Sequence, residues 1–194
     1  LVRVYKNTKV DAQMLKDADV DAVILAIGSS PITIKLEGMD KLQHASAPEV
    51  LRHEVCPKGK VAVIGGGLVG LETADTLATD GCDVTVLEMK DEIGSDLGSL
   101  RKIAVMMKLQ QMQVKMLPNS KVCKFTEEGI VLEDETLVPC NCAVFAVGFA
   151  SNDSHLLVEE CEKRQIPCRV IGDAKSARRA LDAIAEGFEA ARTL

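Results

Sequence analysis

No two of the seven cysteines (Cys56, Cys82, Cys123, Cys140, Cys142, Cys161 and Cys168) stand in C-x-x-C spacing, and their number is odd. That pattern argues against a disulfide framework, a redox dithiol or a zinc site, and for reduced thiols. Cys140 and Cys142 lie two apart and are expected to face the same way on a strand as small core residues. The histidines His44, His53 and His155 are far apart and lack ligand spacing, so no metal site is expected. A basic run is also missing. With a net charge of −6, a nucleic acid or an anionic membrane surface is not an expected partner. No apolar stretch approaches the length that spans a bilayer, and Leu1-Val-Arg-Val-Tyr5 lacks the architecture of a secretory signal. The chain therefore reads as a soluble, cytoplasmic protein.

What the chain does have is a glycine turn between a strand and a helix. Its 194 residues, 47% hydrophobic, are enough for one large or two small globular domains. Within them Lys60-Val-Ala-Val-Ile64 runs straight into Gly65-Gly-Gly67-Leu-Val-Gly70-Leu-Glu72. The run 61–64 is β-branched and apolar, as in a parallel strand covered on both faces. Gly65 permits the tight turn, Gly67 lets backbone approach a pyrophosphate, and Gly70 lets the helix pack closely on the sheet. A helix starting at Leu68 aims N–H groups and a positive dipole end at the phosphates. Leu68, Leu71, Ala74, Leu77 and Ala78 form its apolar stripe before Gly81 closes it. A second strand, Asp83-Val-Thr-Val-Leu-Glu88, ends in a carboxylate where a ribose-binding acid is expected.

The remaining segments frame that core. Residues 1–5 alternate like a strand, 10–19 read as a short helix, and 21–27 as a buried strand ending at Gly28-Ser29-Ser30-Pro31. Residues 31–47 look like an irregular connection, with a second unit starting near Ser46. Residues 89–98 form a polar loop beside the expected adenosine ribose. Residues 99–113 show helical spacing in Leu100, Ile103, Met107 and Leu109, with Met106, Met107 and Met112 as core filler. A short strand at 114–117 precedes a meander over 122–125, 129–132 and 135–139. Cys142-Ala-Val-Phe-Ala-Val147-Gly148-Phe149 repeats the Ala-x-Gly ending of the strand before Gly28, which implies two nucleotide-handling units. Residues 169–171 form a strand ending in Gly172-Asp173, and 180–191 an amphipathic helix with Leu181, Ile184, Phe188 and Ala191 on one side.

These motifs, in this order, resemble the C-terminal part of the two-dinucleotide-binding flavoproteins, and within them the NADH:flavin oxidoreductase and 2-enoate or 2,4-dienoyl-CoA reductase group. The residues that carry the resemblance are Ala26-Ile-Gly28-Ser29-Ser-Pro31, Val63 to Glu72, Ala146-Val-Gly148-Phe149, Val170-Ile-Gly172-Asp173, and Asp182 to Phe188. It implies an α/β fold in which a Rossmann-like NAD(P)-binding domain, 46–150, is inserted into the remaining part of a second, FAD-binding domain, 1–45 with 151–194. It further implies that Gly65, Gly67, Leu68, Val69 and Gly70 hold the NADH pyrophosphate, with Glu88 on the adenosine ribose. Glu72, Gly148 and Phe149 would lie toward the nicotinamide, and Gly28, Ser29, Gly172 and Asp173 toward FAD.

The glycine fingerprint that grips FAD in this group would precede Leu1, as would a catalytic barrel and iron–sulfur cysteines. The chain is therefore expected to be part of a longer oxidoreductase, inactive alone, and to contain no catalytic residue for the substrate. FAD and upstream domains are the expected partners. Incomplete coverage of its apolar surface also makes a homodimer an expectation. Glu88, followed by Lys90, Asp91 and Glu92, favours NADH over NADPH, since the loop is acidic and has no arginine to fork onto a phosphate. A dinucleotide-binding regulatory or sensor module without turnover is the other reading of the same motifs.

Overall fold

The computed structural model describes residues 2–194. In chain order its elements are α1 (Ala12–Asp17), β1 (Val23–Leu25), β2 (Ser29–Pro31), β3 (Gln43–Ser46), α2 (Ala47–Leu51), β4 (Lys60–Ile64), α3 (Leu68–Thr79), β5 (Asp83–Leu87), α4 (Ser99–Gln111) and β6 (Lys115–Leu117). They continue with β7 (Val122–Thr126), β8 (Gly129–Leu132), β9 (Leu137–Pro139), β10 (Cys142–Phe145), β11 (Phe149–Ser151), α5 (His155–Lys163), β12 (Cys168–Val170) and α6 (Ala180–Thr193). The fold is α/β with a parallel sheet. It divides into two compact units, Pro31–Gly148 and the pair Leu1–Ser30 with Phe149–Leu194.

The unit Pro31–Gly148 is built on a five-stranded parallel sheet in the order β3-β10-β4-β5-β6. Strand alternation sends Val61, Val63, Val84, Val86, Cys142 and Val144 to one face. There they meet Leu71, Ala74 and Leu77 of α3 and Leu109 of α4. Ala62, Ile64, Leu87, Ala143 and Phe145 point to the other face, which the antiparallel sheet β7-β8-β9 covers with Phe125, Ile130, Leu132 and Val138. Covering both faces explains why β4 and β10 read as continuous apolar runs.

Several expectations need correction here. The segment 31–47 is not a plain connection: Gln43–Ser46 pairs in parallel with β10 and becomes the sheet edge, so the compact unit reaches back to Pro31 rather than starting near Ser46. Cys140 and Cys142 do not share a face. The chain bends at Asn141, whose N–H donates to Lys60 O at 2.7 Å while its Oδ1 accepts from Lys60 N at 2.9 Å. Alternation therefore starts at Cys142, which lies with the helices, and Cys140 lies with the meander. On α4 only Leu109 is buried; Leu100, Ile103 and Met107 are exposed, because the helix packs on the core through Val105, Met106 and Leu109 instead.

In the other unit β1 and β12 pair in parallel, Val23 opposite Cys168 and Leu25 opposite Val170, so the strands read near 23–27 and 169–171 share one sheet. Because that sheet has two strands, β1 is only partly covered: Leu25 is buried but Ile24 is 41% exposed. Residues 2–5 form no strand, and Leu1 lies outside the described residues. The Arg164 guanidinium donates to Leu15 O and, at 3.1 Å, to Ala18 O. It thereby ties the end of α1 to α5, adding a second donor to Leu15 O, which already accepts from Ala18 N. On α6 the stripe Leu181, Ile184 and Phe188 is 75%, 69% and 71% exposed, and only Ala190 is buried.

Candidate dinucleotide site

In an open parallel sheet, ligands settle at the carboxyl ends of the strands where the strand order reverses. Here the chain leaves β4 toward β5 on one side, while β10 returns on the other. The carboxyl ends of these three strands border a cavity of about 570 Å³. Ile64, Gly65, Gly67, Leu68 and Val69 line it from β4 and α3, Leu87 and Glu88 from β5, and Ala146, Val147 and Gly148 from β10. Of this rim, sequence reasoning had named Gly65, Gly67, Leu68, Val69, Glu88 and Gly148.

The glycines are dictated by space. Gly65 has φ +108°, and a Cβ there would overlap Ala146 O. A Cβ on Gly70 would overlap Gly65 O, so helix and turn come this close only without side chains. Gly70 thus packs against the turn itself as much as against the sheet. The middle residue is constrained too: a Cβ on Gly66 would stand 3.0 Å from Glu88 Cβ and 3.2 Å from Ile93 Cγ1. The Glu88 carboxylate is held from both sides. Its Oε2 accepts from Gly66 N at 2.7 Å and its Oε1 from Lys90 N at 2.9 Å. An acceptor is thereby fixed at the end of β5, facing the cavity.

Three expected NADH-site residues are not among the lining residues: Gly70 is buried under the turn, and Glu72 and Phe149 lie elsewhere. Glu72 accepts from Arg101 Nη2 at 2.8 Å on the exposed side of α3, and Phe149 opens β11. Sequence reasoning missed others. Ile34 and Leu36 line the cavity from the segment read as a connection. Ser120 and Lys121 approach after β6, Lys121 with its Nζ 2.7 Å from Glu133 Oε1. Asp96 places both carboxylate oxygens on the N–H of Leu68, at 3.1 and 3.0 Å. No spacing rule in the sequence would have found it. It does show that the start of α3 accepts an anion, so the residues present suit a pyrophosphate.

The unit Leu1–Ser30 with Phe149–Leu194 gathers its own candidates. Ser29 Oγ donates to Asp173 Oδ2 at 3.1 Å, and Arg178 N donates to Asp173 Oδ1 at 3.2 Å. Gly28 has φ +75°, and its carbonyl accepts from Asn152 N at 3.0 Å. The Gly172 N–H donates to Glu186 Oε2 at 2.8 Å, and Arg178 and Lys175 also bond Glu186. Held chiefly by Arg178, then by Gly172 and Lys175, the Glu186 carboxyl is lowered to about 2. Sequence reasoning brought Ser29 and Asp173 toward one ligand but gave Glu186, within the Asp182 to Phe188 motif, no role.

Residues 2–174 match the pyridine nucleotide-disulphide oxidoreductase family. Among curated proteins, the chain is 36% identical over 191 residues to the bilirubin reductase of Mediterraneibacter gnavus, covering 95% of this chain and 29% of that protein. It is 34% identical over 201 residues to the cinnamate reductase of Clostridium sporogenes, covering 100% of this chain and 29% of that one. The chain thus spans less than a third of these relatives. Among solved structures, a 2-naphthoyl-CoA reductase complex aligns with a TM-score of 0.86 at 24% identity, over 97% of this chain and 29% of the other. Histamine dehydrogenase from Rhizobium sp. 4-9 aligns at 0.83 and 14% identity, over 97% and 33%. At such identities the likeness concerns the fold. The sequence match extends from residue 2 through the glycine turn to the Gly172-Asp173 turn, and on it the chain belongs to the pyridine nucleotide-disulphide oxidoreductase family.

Proposed function

We propose that this chain is the NAD(H)-binding module of an FAD-dependent oxidoreductase, in which NADH passes hydride to flavin and so feeds a catalytic domain elsewhere in a longer protein. One observation carries the reading: the cavity where the strand order reverses holds the glycine turn, an anion-accepting helix start and the fixed Glu88 carboxylate together. When bound, the cofactors supply the electron-transfer chemistry. The chain's own residues bind and orient. Gly65, Gly67, Leu68 and Val69 face the pyrophosphate while Gly70 lets the helix close on the turn, Glu88 accepts from the adenosine ribose hydroxyls, and Gly148 lies toward the nicotinamide. In the other unit Ser29 and Asp173 bond the flavin's ribityl chain, with Gly28 and Gly172 setting the turns.

NADH is the preferred nucleotide on this reading. A 2′-phosphate would meet the Glu88 carboxylate, and of the two lysines that line the cavity, Lys90 and Lys121, the second is engaged by Glu133. Reduced thiols fit a cytoplasmic setting. In isolation, the exposed α6 stripe would be covered by a second copy of the chain, which sedimentation at rising concentration would detect. The test of function is NADH-dependent reduction of a dye by the longer protein. Turnover abolished by substitution at Gly65 supports the module's role, whereas NADH binding without any turnover would make it a sensor.

A further inference from the structure

The Asp96 carboxylate rests against the first N–H of α3. The loop that carries Asp96 is built onto the glycine turn: Ile93 is buried in the core, Gly94 N donates to Gly66 O at 2.7 Å, and Lys102 Nζ ties Glu92 at 2.5 Å. This places the Asp96 carboxylate over the turn. Both its oxygens lie on Leu68 N–H, and a Cβ on Gly67 would stand 3.2 Å from its Oδ2. Gly67 and Leu68 are the residues assigned to the pyrophosphate, so two anions claim one seat.

We infer that Asp96 is a built-in competitor for that seat: its carboxylate accepts from Leu68 N–H at the start of α3 and must leave it before a pyrophosphate can take its place. The inference rests on the dinucleotide reading of the cavity. Its physical basis is that N–H donors and the dipole at a helix start favour one anion, while a second, at close range, is repelled. Asp96 then lowers affinity for every ligand that brings phosphates to the turn, and leaves phosphate-free ligands alone.

The test is equilibrium titration of the chain, as wild type, Asp96→Asn and Asp96→Glu, with NADH, ADP-ribose and adenosine, each variant checked by thermal unfolding. Asp96→Asn removes the charge and is expected to tighten NADH and ADP-ribose together by about 2- to 30-fold, the span known for a charge at a helix terminus. Adenosine affinity should stay within about twofold, because no phosphate reaches the turn. Asp96→Glu keeps the charge and should give no such gain. Unchanged or weaker NADH binding in Asp96→Asn, or an equal gain for adenosine, overturns the inference while leaving the dinucleotide site standing. If neither NADH nor ADP-ribose binds any of the three proteins, the dinucleotide reading itself fails and the inference with it.

Discussion

The N–H of Gly66 donates to Glu88 Oε2 at 2.7 Å, so the middle residue of the glycine turn aims the carboxylate at the end of the next strand. Two features that sequence motifs treat separately are thus one device. Glu88→Ala is expected to weaken NADH binding by on the order of 1–3 kcal/mol, the scale of hydrogen bonds to a charged group. Gly66→Ala should weaken it less, because its Cβ crowds Glu88 Cβ at 3.0 Å and Ile93 Cγ1 at 3.2 Å without removing the carboxylate. Calorimetric titration ranks the two variants. Equal affinity in wild type and Glu88→Ala would remove Glu88 from the site.

Gly70 tests packing rather than binding. Alanine is worth about 1 kcal/mol over glycine in an exposed helix. Here its Cβ would overlap the Gly65 carbonyl, a backbone atom of the turn that cannot rotate away. Overpacking of this kind costs typically about 1–3 kcal/mol, so Gly70→Ala should lower stability despite its better helix propensity. Urea unfolding measures it, and a net gain would mean that turn and helix separate more easily than their geometry indicates.

Elements with strong periodicity were legible before any coordinates: β4, α3, β5 and the meander all fall where alternation, the 3.6-residue stripe and turn residues put them. The polar edge strand Gln43–Ser46 was not, because its pairing with β10 is decided by long-range contacts and three of its residues are uncovered or half-covered. The short helix behind it did carry a signal. In Ser46-Ala-Pro-Glu49 the Ser46 N–H donates to Glu49 Oε2 at 2.7 Å and the Ser46 side chain accepts from the Glu49 N–H, which is a capping box readable as S-x-x-E. Apolar stripes on α4 and α6 misled for the opposite reason: Leu100, Ile103, Leu181 and Phe188 have helical spacing but no partner surface among the described residues. The roles of Asp96 and Glu186 were invisible because their targets, Leu68 N and Gly172 N, are backbone donors set by loop geometry.

Glu186 gives a pH prediction. Arg178, Gly172 N–H and Lys175 hold its carboxyl down at about 2 in the folded chain, below an unfolded value of about 4.3. A depressed carboxyl contributes stability that is complete above the unfolded value and is lost as pH falls through the folded one. The stability difference between wild type and Glu186→Gln should therefore be full near neutral pH and shrink between about pH 5 and pH 2. A difference that stays constant over that window would show the bonds to Glu186 to be without effect.

The thiols divide by burial. Cys56 and Cys123 are exposed, whereas burial, with Cys142 adjoining the first and Cys82 the second, pushes Cys140 and Cys142 up to about 11. At about pH 8 the buried pair is then held almost wholly as thiol, away from the reactive thiolate. An aromatic disulfide reagent should modify Cys56 and Cys123 within the mixing phase, and Cys140 and Cys142 only after denaturant is added. Prompt labelling of Cys140 or Cys142, located by peptide mapping, would contradict the sheet packing described for β10.

The central claim is that the cavity at the ends of β4, β5 and β10 binds a pyridine dinucleotide and that Glu88 favours the form without a 2′-phosphate. Parallel fluorescence titrations of the chain with NADH and NADPH address both halves. Saturable binding is expected for NADH, tighter than for NADPH by about tenfold or more, since roughly 1.4 kcal/mol of repulsion suffices. Glu88→Arg should erase or reverse that ratio. Tighter binding of NADPH by the wild type, or no saturable binding of either nucleotide, would contradict the account.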